Sequence, residues 1–214
     1  MARVKSGGPA AVDGRSTRWT QHRQRRRAEF VDAAIAAVER HGPDVLIEQV
    51  AAAAGVPRPK LYRYFDGKAD LQRAVAERAI ELFDAEIEPL WRAGLAPEEL
   101  VRGLVTAALD WITGHPHLYR YLQHDIGGTG AYAQGRSALR AQVTSVVNAH
   151  PDAAGHPAAE ALAAGLVGMV EAAVDQWLTN PAGMSRAELD DELVRWIWAV
   201  LSDLARRHGE GPIA

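Results

Sequence analysis

Apolar positions recur at helical spacing along most of the chain, and no segment sustains the strict alternation of a half-buried strand. Over 20–41 the stripe Phe30, Ala34, Ala37 and His41 runs beside Val31, Ile35 and Val38, and Gly42-Pro43 stops it. Shorter helices are predicted over 46–54, ended by Gly55, and over 58–65, ended by Asp66-Gly67. A long helix then spans 68–88 and closes at Pro89. Beyond it the pattern predicts helices over 97–113, 117–125, 132–148, 157–178 and 186–207, with a glycine loop at 127–130. Ser185 followed by Glu188 forms a capping box that satisfies two backbone N–H groups at the start of the last helix. The expected fold is therefore all-α, with about nine helices.

Residues 1–19 show no periodicity, and Gly7, Gly8, Pro9 and Gly14 interrupt them, so they read as a flexible arm carrying Arg3, Lys5, Arg15 and Arg18. Two further units follow, a three-helix unit over 20–67 and a larger helical unit over 68–214. Charge divides at the same place. Residues 1–68 hold 13 Lys/Arg against 7 Asp/Glu, whereas 69–214 hold 11 against 20, which the overall net charge of −3 conceals. A +6 part beside a −9 part suggests that only the first meets a polyanion. The absence of cysteine excludes disulfides and thiolate chemistry. No run of about 18 apolar residues suggests a membrane span, and no apolar segment near the N-terminus suggests a signal peptide, so a cytoplasmic location without a membrane partner is expected.

Two short helices joined through Gly55 provide what a helix-turn-helix needs, since glycine takes the left-handed conformation that lets the third helix protrude. That third helix carries Arg58, Lys60, Tyr62, Arg63 and Tyr64, donors suited to phosphates and base edges. The stretch VAAAAGVPRPKLYRYFDGKADL, Val50 to Leu71, resembles the DNA-binding signature of the TetR family of bacterial transcriptional regulators. The matching positions are Ala54-Gly55-Val56, Leu61-Tyr62, Tyr64-Phe65, Lys68 and Leu71. The resemblance implies that Arg58, Lys60 and Arg63 contact bases or phosphates and that Tyr62 and Tyr64 contact the backbone or a base edge. It also places Lys68 on a phosphate, and Val50, Leu61, Phe65 and Leu71 in the core. One of the two tyrosines could instead mostly pack.

Two departures from the family pattern stand out. Pro57 replaces a small hydroxyl residue, and Pro59 biases Arg58 toward an extended conformation that would shift the helix start by a residue. Leu46 replaces the usual Ser/Thr cap of the second helix, with Asp44 the nearest substitute. Arg23, Arg25, Arg26 and Arg27 cluster ahead of the reading head and are expected to contact DNA together with the arm.

In the C-terminal half, the helix over 157–178 is apolar on two sides and is expected to be buried on both. Ala163, Val167, Val170 and Val174, with Val194, Trp198 and Leu201 of the last helix, are the expected homodimer surface, a four-helix interface where the family dimerises. The resemblance further implies a small-molecule cavity. Phe83, Trp91, Trp111, Tyr119, Tyr121, Met169 and Trp177 are the large side chains available to line it, and Asp110, His124, Asp125, Glu171, Asp175 and Gln176 the polar ones. Among these polar residues Glu171 and Asp175 share a helical face. His115, His117, His124 and Asp125 lack metal-ligand spacing, no cofactor is implied, and no nucleophile elbow or phosphate loop suggests an enzyme. The chain thus reads as a dimeric, ligand-released repressor acting on a near-palindromic double-stranded DNA operator. The alternative is a helical small-molecule carrier or enzyme whose basic N-terminus is incidental.

Overall fold

The computed structural model describes residues 14–123, 130–149 and 159–209. Among them every regular element is helical: α1 (Gly14–His41), α2 (Ile47–Ala53), α3 (Arg58–Leu61), α4 (Gly67–Arg92), α5 (Pro97–Gly114), α6 (Pro116–Gln123), α7 (Ala131–Ala149), α8 (Ala159–Thr179) and α9 (Arg186–Gly209). The head comprises α1, α2 and α3, with α2 and α4 both packed on α1. α4 then runs out of the head into the body, where it meets α5 and α7, while α8 lies on α7 and α9 on α5. One continuous apolar core extends from Phe30 and Val38 through Leu61, Val75 and Leu109 to Leu193.

Three boundaries differ from the sequence pattern. α1 begins at Gly14, inside the stretch read as an arm, because residues 10–41 contain no proline to stop a helix already nucleated on the core. The arm residues 1–13, including Arg3 and Lys5, lie outside the described residues. α3 is a single turn rather than eight residues. α4 continues through Pro89 to Arg92. Pro89 deprives the Ala85 carbonyl of its helical donor, but both residues are exposed, so water can replace the bond.

The capping of the head also departs in part. Pro57 is the extended N-cap and Arg58 the first helical residue of α3, so Pro59 causes no shift. Asp44 does not cap α2; the Leu46 N–H donates to Gln49 Oε1 at 2.7 Å instead. The capping box of α9 forms in both directions, with Ser185 N–H donating to Glu188 Oε2 at 2.7 Å and Glu188 N–H to Ser185 Oγ at 3.2 Å.

α8 has the length and mean hydropathy of a membrane span, despite the acidic residues that interrupt it. In this fold its apolarity serves packing, since Ala159, Ala163, Leu166, Val167 and Val174 are buried in the single chain. The approach of α7 to α4 depends on Gly135, where an added Cβ would meet Ile80 side-chain carbons at 2.7 and 2.8 Å. Gly135→Ala is expected to destabilise the fold by about 1–3 kcal/mol through overpacking, read as a lower midpoint in urea at unchanged m.

Candidate functional site

The turn between α2 and α3 is built on Gly55 at φ +63. Its N–H donates to the Ala52 carbonyl at 3.0 Å and the Val56 N–H reaches the Ala51 carbonyl at 3.0 Å, the two bonds of a Schellman motif. Leu61 and Phe65, at 1% and 3% exposure, then anchor α3 and the turn after it, so that Arg58, Tyr62 and Arg63 face outward. Arg58 is pre-oriented: it is ion-paired to Glu48 at 2.7 Å, and its guanidinium lies 5.4 Å from the Tyr62 ring centre. Lys60 is half-buried and Lys68 exposed at the start of α4. Of the two tyrosines, Tyr64 is the one that packs, its ring edge-on to Phe30 at 5.1 Å.

The arginine cluster is not uniform. Arg25 and Arg26 share Glu29, at 3.2 and 2.7 Å, on the outside of α1. Arg23 donates to the Arg63 carbonyl at 3.3 Å, which brings α1 beside the reading helix. Arg27, expected on DNA, is committed inward instead. It grips both carboxylate oxygens of Asp70 at 2.9 and 3.1 Å, donates to the Tyr64 carbonyl at 2.9 Å, and lies 4.3 Å from the Phe65 ring centre. Arg73 and the Asp66 N–H also bind Asp70. The Arg27 hydrogen bonds, more than any other partner, hold the Asp70 carboxyl down at about 2, well below its ordinary 3.8. This clasp ties α1, the end of the reading segment and α4 together. No local pattern marks it, because Arg27 and Asp70 lie 43 positions apart.

The body holds a cavity of about 210 Å³ walled by α4, α5, α6, α7, α8 and α9. Phe83, Trp91, Trp111, Tyr119 and Glu171 line it as expected. Tyr121, Met169 and Trp177 do not. Tyr121 sits two positions from Tyr119 on α6 and so points to the opposite side. Met169 packs in the core beside the cavity-facing stripe of α8, and the Trp177 indole N–H donates to the Met184 carbonyl at 2.8 Å, which fixes the α8–α9 turn. Arg136 of α7, which periodicity did not single out, lines the cavity and is ion-paired to Glu171 at 2.6 Å. Burial, with Glu171 and Asp175 nearby, pushes the Tyr119 hydroxyl up to about 12, so it is neutral at physiological pH.

Most of the expected dimer surface faces inward in the single chain. Ala163, Val167, Val174 and Val194 are buried within one chain, and Val167, Val170 and Leu201 line the cavity, because α7 and α5 cover those stripes; Trp198 is half-buried. Apolar and small residues facing outward include Trp196, Ala199 and Val200 on α9 and Ala161, Gly165 and Ala172 on α8. The remaining polar candidates are on the surface: Asp110 pairs with Arg186 at 2.5 Å, and Asp175 and Gln176 are exposed. His115 Nδ1 meets Glu39 at 3.0 Å and His117 Nδ1 the Glu39 carbonyl at 2.8 Å, fastening α6 to α1. His124 and Asp125 lie outside the described residues.

Residues 30–75 match the family model for bacterial regulatory proteins of the tetR family, and residues 97–200 match that of the tetracyclin repressor-like C-terminal domain. The chain belongs to the TetR family of bacterial transcriptional regulators. It is 30% identical over 206 residues to an HTH-type transcriptional regulator of Mycobacterium tuberculosis, covering 92% of this chain and 86% of the relative. A tetR-family regulator from Streptomyces coelicolor shares the fold at a TM-score of 0.67 and 22% identity, over 85% of this chain and 90% of that one. FadR from Bacillus subtilis, solved in complex with stearoyl-CoA, shares it at 0.64 and 15% identity, over 79% and 96%.

Proposed function

We propose that this TetR-family regulator is a homodimeric repressor of a near-palindromic operator and that a small, mainly hydrophobic molecule in the body cavity releases it. The observation that carries this reading is the continuity of α4. Its first turns are clasped to the reading head through Arg27 and Asp70, and its later turns, from Ala79 to Trp91, form a wall of the cavity. A ligand that prefers a different placement of those later turns must move the head with them, by as much as its preference allows. The stearoyl-CoA bound to FadR supports a ligand with a long apolar chain in a fold of this kind.

In this reading Arg58, Lys60, Tyr62 and Arg63 meet the major groove. Lys68, Arg25 and Arg26 meet phosphates, and Tyr64 sets the angle of the reading segment. The head over 20–67 and the sensor over 68–214 divide the labour, sharing α4. Dimerisation uses the outward faces of α8 and α9. Support comes from Trp196 and Val200, large apolar side chains left 36% and 41% exposed, and from Gly165 and Gly168, where an added Cβ would meet nothing within 4 Å. Packing within one chain therefore does not require those glycines.

Lys68→Ala is expected to weaken operator and random DNA alike and to reduce the salt slope by about one. Arg58→Ala or Lys60→Ala is expected to cost about 1–3 kcal/mol on the operator and to relax specificity. Fluorescence anisotropy on operator and scrambled duplexes across a salt series checks both. Equal losses on the two duplexes for all three variants would contradict base reading by the recognition helix. The repressor assignment is tested by transcription in vitro from a promoter overlapping the operator. Less transcript with protein, restored by ligand, supports it, and more transcript with protein overturns it.

A further inference from the structure

The cavity lies along two long helices. Its wall runs from Ala79 to Trp91 on α4 and from Leu100 to Ile112 on α5, about 18 Å of each helix at 1.5 Å per residue. The cavity encloses about 210 Å³ between six helices, room for one small molecule. The lining is almost wholly aliphatic and aromatic, and its few polar groups include the Asp84 carboxylate of α4. Beside α6, the wall contains Tyr119, only 4% exposed, whose hydroxyl has no hydrogen-bond partner. The Arg136–Glu171 ion pair lies in the same wall. The indole N–H groups of Trp111 and Trp91 are buried without acceptors as well.

A buried donor left without an acceptor costs about 1–3 kcal/mol, which a bound oxygen atom would recover. An anionic head group, by contrast, would have to be desolvated next to an arginine whose charge Glu171 already balances at 2.6 Å. From this combination we infer that the cavity takes an uncharged, single-chain aliphatic molecule with an acceptor oxygen at one end, such as a long-chain alcohol or ester. Its oxygen is held by Tyr119 and its chain extends between α4 and α5 toward Trp91. The inference rests on reading this cavity as the effector site, and it narrows the chemistry of the effector.

The test titrates the full chain with 1-dodecanol, dodecanoate and the rigid polycycle pyrene, following intrinsic tryptophan fluorescence because Trp91 and Trp111 line the cavity. The expected order puts dodecanol at least tenfold tighter than either of the others. Tyr119→Phe, with its fold checked by circular dichroism, is expected to weaken dodecanol about three- to tenfold and to leave pyrene unaffected. Dodecanoate or pyrene binding as tightly as dodecanol, no binding of dodecanol, or an unchanged affinity in Tyr119→Phe would each overturn the inference. Anisotropy of labelled operator is read in parallel. Dodecanol that binds in the expected order without releasing DNA supports this ligand chemistry and overturns the effector reading. Release by another compound while dodecanol fails to bind overturns the ligand chemistry alone.

Discussion

Trp196→Asp is expected to convert the dimer to a monomer and to lower operator affinity by about two orders of magnitude or more. One helix-turn-helix reads few base pairs, and tight binding needs two heads joined at a fixed spacing of about 34–36 Å. Trp196 is 36% exposed in the single chain and flanks the buried stripe of Leu189, Leu193 and Ile197, so circular dichroism of the variant is read first to check that each subunit keeps its fold. In the dimer it would place a carboxylate in an apolar contact, where desolvating an unpaired charge costs several kcal/mol. Sedimentation velocity reads the assembly and anisotropy the affinity. Val194→Ala, at a residue 2% exposed, is the matched control. It is expected to lower stability by about 1–2 kcal/mol through a small core cavity while the dimer persists. A dimer unaffected by Trp196→Asp would move the interface away from this face.

Asp70→Ala is expected to lower stability by about 2–3 kcal/mol, and the melting temperature by about 4–12 °C for a chain of this size. Asp70 is the common acceptor for Arg27, Arg73 and the Asp66 N–H, and its side chain is only 14% exposed. Its removal leaves Arg27 half-buried with only the Tyr64 carbonyl and the Phe65 ring as partners. The same clasp sets a pH dependence. Because the folded carboxyl titrates at about 2 against 3.8 when unperturbed, its contribution is complete above about pH 4 and is lost as pH falls through about 2. The shift corresponds to about 2 kcal/mol. Urea midpoints of wild type and Asp70→Ala between pH 6 and pH 2 are expected to converge toward the acid end. A constant gap would show that the carboxylate charge is not what the clasp uses. Since α4 positions the head, Asp70→Ala is also expected to weaken DNA binding in a protein that remains dimeric, a combination that separates this variant from Trp196→Asp.

What could be read from the sequence was whatever depends on local periodicity. The helices appear in the expected order, because apolar stripes of period 3.6 and glycine or proline stops mark each of them, and Leu61, Phe65 and Leu71 are buried as the resemblance implied. Which side of an apolar helix meets which neighbour could not be read this way. α8 is apolar almost all round, so periodicity alone offers the stripe containing Val167, Val170 and Val174 to a partner subunit, whereas α7 and the cavity claim it. The smallness of Gly165 and Gly168, rather than the hydrophobicity of the valines, was the signal for the open side. Arg25, Arg26 and Arg27 are equivalent in sequence, and only Asp70, 43 positions beyond Arg27, distinguishes the structural arginine from its neighbours. The cavity was half legible. Large aromatics identified Phe83, Trp91, Trp111 and Tyr119, but the same criterion admitted Trp177, which closes a turn, and missed Arg136, whose charge hid it.

The central claim is that this chain is a dimeric reader of symmetric DNA, and selection of bound duplexes from a random library at moderate salt tests it most directly. A dimer with one outward recognition segment per subunit predicts enrichment of a near-palindromic motif, its half-sites about one helical turn apart, with affinity falling steeply as salt rises. Enrichment of a single asymmetric site, or of no sequence at all even at low salt, would contradict it.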